Sequence, residues 1–166
     1  MARTSSDSAT ANYNWGDVTF LDSQTNVVIA FAMKVGTYGA TSQEIFRKYD
    51  SASQNSGWRF SRIGTSDRIN WVTYGSGGVT ETLQWGENGF QGAGWIRIGM
   101  YCDTTLGSAH ARAYRNGVFE SDSGAVGIRD PFGNSPDSLE AVIQDSSFAL
   151  AELVIWTGIS SIAEAD

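Results

Sequence analysis

The sequence predicts an all-β protein, built as a sandwich or a barrel. Apolar and polar residues alternate with a period of two in ten or eleven short stretches, which is the pattern of half-buried strands. Turn-forming residues separate these stretches at fairly even spacing, and no stretch shows a convincing helical period. The composition agrees with strands and turns, because 19 residues are Gly and only 17% of the 166 residues are charged.

The first 16 residues differ from the rest of the chain, because they are polar and rich in Ser, Thr and Asn, with the aromatic residues Tyr13 and Trp15 near their end. They are expected to form either a frayed arm or an edge strand whose aromatic rings hold it against the body of the protein. Tyr13 and Trp15 are therefore the candidates for binding a partner. Residues 17–166 are expected to form a single domain, since a chain of this length buries one ordinary core. Within it, Asp17–Leu21 is a short strand candidate.

The clearest strand is predicted at Asn26–Val35. One of its faces carries only large apolar residues, whereas the other carries Val28, Ala30, Ala32 and Lys34. Small residues on the second face indicate that another element packs closely over it, or that this face is only lightly covered.

Three further strands with aromatic residues are predicted at Trp58–Ser61, Arg68–Tyr74 and Val79–Trp85. Aromatic rings that line a groove can stack on sugar rings. The candidates for such a carbohydrate-binding face are Trp58, Trp71, Tyr74 and Trp85. The alternative for each of them is an ordinary place in the core or on a sheet face.

The stretch from Trp95 to Val118 predicts two antiparallel strands and the start of a third. Its second alternating run ends at Asn116-Gly117, a dipeptide typical of the type I′ hairpin turn because both central positions need a positive φ. Trp95, Tyr101 and Tyr114 are expected to pack in the core or against the sheet.

The last two strands are predicted at Leu139–Ile143 and Phe148–Trp156. Cys102 is the single cysteine, so an intrachain disulfide is excluded, and a buried thiol is the simplest interpretation.

Charge and hydropathy exclude several classes of partner. The net charge of −7 would repel a phosphate backbone, and no basic stripe offsets it, so nucleic-acid binding is not expected. No apolar run approaches the roughly 20 residues of a membrane span, and no membrane partner is expected. The N-terminus has no apolar signal segment, which favours synthesis in a host cytoplasm.

Three segments, taken in order, resemble the concanavalin A-like lectin/glucanase superfamily in its laminin-G-like and pentraxin-like branch. They are Trp95–Tyr101, the Tyr-x-Asn-Gly hairpin in Ala113–Val118, and Phe148–Trp156 with its short tail. Upstream, Ile45–Lys48 and Gly57–Phe60 are similar to the early strands of the family, so the resemblance extends over most of the chain. The resemblance implies a two-sheet antiparallel jelly-roll sandwich, often binding carbohydrate on a concave face or at rim loops, and sometimes using calcium.

The sequence offers no catalytic constellation. Retaining glycosidases need two carboxylates about 5–5.5 Å apart, but the Glu-x-Asp-x-x-Glu pattern of the glucanases is absent, and His110 is the only histidine. We therefore expect no enzymatic activity. Calcium is the one cofactor that the sequence leaves open, because oxygen-bearing side chains cluster in one long loop. The weak candidates are Asp122, Asp130, Asn134 and Asp137.

Two functions follow from this interpretation. The first is a virion structural protein, a phage-type capsid decoration or cement protein that binds the major capsid protein or another virion protein, with homo-oligomerisation left open. The chain's own initial Met, the absence of a signal segment and the acidic surface motivate it. The alternative is a stand-alone carbohydrate-binding module for attachment to a host or another glycan.

Overall fold

The structure of the protein is a computed structural model. The residues that it describes are 3–4, 11–36, 42–49, 57–64, 66–75, 79–86, 90, 92–106, 111–123, 138–143 and 148–158. Within them the chain forms two six-stranded antiparallel sheets that pack face to face. The predicted all-β fold is confirmed as a two-sheet, jelly-roll-like sandwich.

Twelve strands and one short 3₁₀ turn make up the described elements. The strands are β1 Arg3–Thr4, β2 Ala11–Asn14, β3 Asn26–Val35, β4 Gln43–Tyr49, β5 Gly57–Ile63, β6 Arg68–Gly75, β7 Val79–Trp85, β8 Trp95–Asp103, β9 Ala111–Arg115, β10 Val118–Asp122, β11 Glu140–Ile143 and β12 Phe148–Thr157. No helix in the described part of the chain is long and apolar enough to cross a membrane.

The two sheets are interleaved along the sequence. Sheet A has the order β1-β12-β3-β8-β9-β10, and sheet B has the order β2-β11-β4-β5-β6-β7. The N-terminal arm contributes one edge strand to each sheet, since β1 pairs with β12 and β2 pairs with β11. Of the two arrangements expected for residues 1–16, Ala11–Asn14 adopts the edge strand.

The core lies between the inner faces of the two sheets and is rich in aromatic residues. Phe31 of sheet A meets Phe46 and Phe60 of sheet B edge-on, with ring centroids 4.9 and 5.7 Å apart. Phe60 also stacks on Trp71 at 5.4 Å. Such aromatic pairs add about 0.5–1.5 kcal/mol each beyond the area they bury. The Cys102 thiol is fully buried in the same cluster, as the sequence predicted.

The Asn116-Gly117 turn is confirmed, because both residues have positive φ values, 51° and 84°, between β9 and β10. The strand expected at Asp17–Leu21 is wrong, since Thr19–Leu21 forms a 3₁₀ turn instead.

Two interactions account for that turn. Leu21 is buried in the core, and the ammonium group of the buried Lys48 lies 2.9 Å from Asp17 Oδ1 and 3.5 Å from Asp22 Oδ1. These contacts tie the residues on both sides of the turn to Lys48 of β4.

Candidate functional site

The four aromatic residues predicted to bind carbohydrate do not form a binding face. Trp58 and Trp71 are 1% exposed, Tyr74 is 3% exposed and Trp85 is 4% exposed. The three tryptophans point into the core, because they alternate with the outward positions of their strands. Tyr74 lies on the outer side of sheet B, where the Arg59 guanidinium sits 5.7 Å from its ring centroid. A ring this buried offers no face to a sugar, so that prediction is wrong.

The predicted partner-binding residues are exposed. Tyr13 is 49% exposed and Trp15 42% exposed, and their ring centroids are 4.5 Å apart at the β2 edge of sheet B. The backbone N–H of Trp15 donates to Leu139 O at 3.0 Å, which ties the end of the arm to the body. Partner binding by these two rings stays a prediction.

Most of the calcium candidates cannot be placed. Asp122 is an exposed residue of β10, whereas Asp130, Asn134 and Asp137 lie outside the described residues, as does His110. Among the residues that are described, no group of three or more His, Cys, Asp or Glu side chains could hold a metal ion.

The outward side of sheet A carries a different set of aromatic residues, and we call it the outer face. Cross-strand pairing arranges it in four rows, which run from β12 across β3 to β8 and in part onto β9 and β10. The rows are Trp156–Val28–Tyr101–Arg112–Asp122, Val154–Ala30–Gly99–Tyr114–Phe119, Ala151–Ala32–Arg97 and Ala149–Lys34–Trp95.

The middle of the outer face is a shallow floor formed by Ala30, Ala32 and Gly99. Gly99 has no side chain there, and a Cβ atom built on it would lie 3.6 Å from Tyr114 Cβ. The floor is low because these residues carry one carbon or none beyond the backbone. On this second side of β3, Val28 and Ala32 are buried, Ala30 is partly exposed and Lys34 is exposed.

Larger apolar side chains stand on both sides of this floor. Trp156 is 48% exposed and Val154 40% exposed on β12, while Phe119 is 47% exposed on β10. Phe119 meets Tyr114 edge-on at 5.9 Å. Since neighbouring strands are about 4.8 Å apart, the two sides are separated by roughly 14–19 Å. Exposed aromatic side chains around a low floor are typical of a binding surface.

A hydrogen-bonded pair fixes the Tyr101 end of the outer face. The Tyr101 hydroxyl donates to Asp103 Oδ2 at 2.9 Å, and Asp103 Oδ1 accepts from the backbone N–H and the hydroxyl of Thr105 at 2.9 and 2.6 Å. Desolvation by burial, followed by the neighbouring Asp103 carboxylate, raises the pKa of Tyr101 from 10.0 to about 12. The phenol is therefore neutral and anchored at physiological pH.

Charged side chains surround Trp95 at the opposite end of the outer face. Trp95 is 49% exposed and pairs directly with the exposed Lys34, and Arg97 follows two residues later on the same side of β8. Asn116 holds this part of β8, because its side-chain oxygen accepts from Arg97 N at 2.9 Å and its own N–H donates to Arg97 O at 2.8 Å. Arg97 Nε lies 3.8 Å from the Glu152 carboxylate.

On the outer side of sheet B, by contrast, two cationic side chains are already paired with carboxylates. Its Arg47 and Arg59 guanidinium groups lie 3.1 and 3.3 Å from the Glu44 carboxylate, and Arg47 also donates to Glu140 at 2.8 Å. Because carboxylates of the same sheet already occupy these cations, this surface offers less to a charged ligand than the outer face of sheet A.

The sequence contains a signal for one aromatic residue of the outer face. Trp95 alternates with Ile96, Ile98 and Met100, so it falls on the side opposite the aliphatic residues of its own strand. The prediction that Trp95 is packed is therefore wrong, whereas Tyr101 and Tyr114 are buried in a small cluster with Val28, as expected.

No protein-family model and no curated protein sequence matches the chain. Solved structures do. A structure of botulinum neurotoxin type C, from work on its interaction with two ganglioside molecules, matches with a TM-score of 0.63 and 13% identity over 93% of this chain and 38% of the other.

Two other solved structures show the same likeness. The receptor-binding domain of botulinum neurotoxin mosaic serotype C/D matches with a TM-score of 0.64 and 14% identity, over 89% of this chain and 36% of that one. The binding domain of botulinum neurotoxin DC in complex with SialylT matches with a TM-score of 0.60 and 12% identity, over 93% and 38%.

The chain thus spans less than two fifths of the length of each of these three solved chains. At these identities the likeness is one of fold: this protein shares the β-sandwich of part of the botulinum neurotoxin receptor-binding domains.

Proposed function

We propose that this protein is a non-enzymatic, lectin-like carbohydrate-binding module of the concanavalin A-like type, and that the glycan lies on the outer face of sheet A. The observation that carries the proposal is the half-exposed Trp156 beside the low floor of Ala30 and Gly99. Because the residues beside the exposed indole are small, a sugar ring can approach the sheet and stack on the indole at the same time.

The chemistry of the outer face suits a sugar. A pyranose presents C–H groups on its ring face and hydroxyl groups around its rim, so it needs an aromatic surface with polar groups beside it. The outer face supplies exposed rings at Trp156, Phe119 and Trp95, and it places Arg97 and Arg112 in the neighbouring rows. The fold supports the proposal too, since one similar structure concerns ganglioside interaction and another is a complex with SialylT.

Glycan-array screening with and without calcium, followed by calorimetry on any hit, tests this function. Trp156→Ala is expected to weaken binding at least tenfold, because an aromatic contact at a binding centre commonly contributes about 1.4 kcal/mol or more. Trp15→Ala is the matched control, since Trp15 is similarly exposed but lies at the edge of sheet B. If no glycan on the array is bound, or if the two variants bind equally well, the outer face is rejected as a glycan site.

A second candidate function is decoration of a virus particle, with a capsid protein as the partner, the virion as the location and self-association of copies left open. The exposed Tyr13–Trp15 pair favours it, because adjacent aromatic rings on an edge strand are typical protein-binding residues. Deleting the arm would leave β12 and β11 as new sheet edges, because β1 and β2 pair with them, so point substitutions are the cleaner test.

The test of the second candidate is co-purification with particles. A variant carrying Tyr13→Ala and Trp15→Ala is expected to fold and to lose particle occupancy. Occupancy equal to that of the unaltered protein would remove these residues from the interface, and no association with any particle would reject the role.

A further inference from the structure

We propose that the glycan bound by the outer face is acidic, and that Lys34, Trp95 and Arg97 form the subsite for its anionic group. This inference rests on the proposed carbohydrate-binding function and specifies the class of ligand. The anionic group is a carboxylate or a sulfate ester carried by a sugar ring.

Geometry brings the three side chains together. Lys34 and Trp95 are directly opposite one another in the β3–β8 pairing, so their Cβ atoms are about 4.5–5.5 Å apart. Arg97 is the diagonal neighbour of Lys34 on the same side of the sheet, at roughly 7–8 Å. A sugar ring stacked on the half-exposed indole therefore has an ammonium and a guanidinium group within reach of its substituents.

These cations are open to a ligand, unlike others in the protein. In the part of the chain that the structure describes, no carboxylate lies within ion-pair distance of Lys34, and Arg97 has only the 3.8 Å contact with Glu152. The Arg97 and Glu152 side chains are 78% and 62% exposed, so water and salt weaken that contact. By contrast, Lys48 is buried between Asp17 and Asp22.

The overall charge of the protein opposes the binding of an anion at Lys34 and Arg97. With a net charge of −7, the chain as a whole repels anions. An anionic sugar that binds here must gain more from Lys34 and Arg97 than it loses to the overall field. Binding should therefore be selective for the charged position and should weaken as salt is added.

Glu152 is placed to compete with the ligand for Arg97. It lies in the bulge of β12 between Ala151 and Val154, with a φ of 58°, and the bulge directs its side chain toward Arg97 across the sheet. An incoming anion must displace this carboxylate. Replacing Glu152 with Gln removes the competitor while preserving size, so the structure assigns it the role of a negative modulator.

The experiment compares an acidic oligosaccharide with its neutral parent, using calorimetry on the full chain at two salt concentrations. Sialylated, uronic-acid and sulfated probes distinguish carboxylate from sulfate recognition. We expect the acidic form to bind about tenfold or more tightly than the neutral form. Lys34→Gln and Arg97→Gln should each remove most of that preference, whereas Glu152→Gln should tighten acidic binding about twofold to fivefold.

Arg68→Gln serves as the matched control, since Arg68 lies on sheet B near Gln84 and away from the outer face. It should leave the acidic preference unchanged. If acidic and neutral probes bind equally, or if Lys34→Gln and Arg97→Gln keep the preference, the acidic subsite is rejected and the carbohydrate-binding function stands. If neither probe class binds, the carbohydrate-binding function itself is rejected.

Discussion

Removing the hydroxyl group of Tyr101 tests how the outer face is held in place. Tyr101 is 4% exposed, and its only change in Tyr101→Phe is the loss of the 2.9 Å hydrogen bond to Asp103 Oδ2. Asp103 is itself 6% exposed and keeps Thr105 as a donor to its other oxygen. A hydrogen bond to a charged group contributes about 1.5–3 kcal/mol, so the variant should lose that much free energy of unfolding at pH 7.

The pH dependence of the difference follows from the raised pKa. The pKa of Tyr101 is about 12 in the folded state and 10.0 in the unfolded state. Between pH 10 and 12 the unfolded chain has lost this proton and the folded chain has kept it, so unfolding becomes easier as pH rises. The contribution of the Tyr101 proton to the free energy of unfolding is complete below pH 10 and is lost as the pH passes through 12. The difference between the two pKa values corresponds to at most ~2.7 kcal/mol.

Urea denaturation followed by circular dichroism, at pH 7 and at steps from 9 to 12, measures both effects. Comparing the unaltered protein with Tyr101→Phe cancels the titration of the other tyrosines and the lysines. The stability difference should be about 1.5–3 kcal/mol at pH 7 and should shrink toward zero near pH 12.

Two results would refute this reasoning. A variant as stable as the unaltered protein at pH 7 would show that the Tyr101–Asp103 contact contributes nothing. A stability difference that stays constant between pH 9 and 12 would show that burial does not hold the Tyr101 proton.

The remaining predictions concern backbone and core. Gly86→Ala should cost more stability than Gly16→Ala by about 1–3 kcal/mol, because both glycines have positive φ but only the Cβ at position 86 would overlap the Phe90 ring. Equal losses in thermal unfolding would exclude the clash. Phe60→Ala should lower the free energy of unfolding by about 3–5 kcal/mol, since it removes the buried ring that stacks on Trp71 and leaves a cavity. A loss under about 1 kcal/mol in urea denaturation would contradict this packing.

Local patterns in the sequence were sufficient for much of the fold. The alternation in Asn26–Val35 identified the strand and both of its faces, because side chains of a strand point to opposite sides in turn. Asn116-Gly117 identified its turn, because few other pairs accept positive φ at both positions. The order of the strands within each sheet came from contacts distant in sequence, such as β3 between β12 and β8, which alternation does not encode.

The candidate site shows the limit of the same reasoning. Trp58 and Trp156 are both tryptophans in alternating strands, yet one is 1% exposed and the other 48%. The sequence indicated Trp58 and not Trp156 as a sugar-binding candidate, because exposure depends on which side of the strand meets the second sheet. Lys34 and Arg97 are 63 residues apart, and only the β3–β8 register brings them to one end of the outer face.

By itself, therefore, the sequence determined the all-β class, the strands with the strongest alternation, the hairpin turn and the acidic net charge. These properties depend on short-range periodicity, backbone conformation and total charge, all of which can be read along the chain. Only the tertiary structure decided which aromatic side chains face solvent and which cations adjoin Trp95. Those are properties of sheet register and of packing between sheets, and they arise when strands distant in sequence come together.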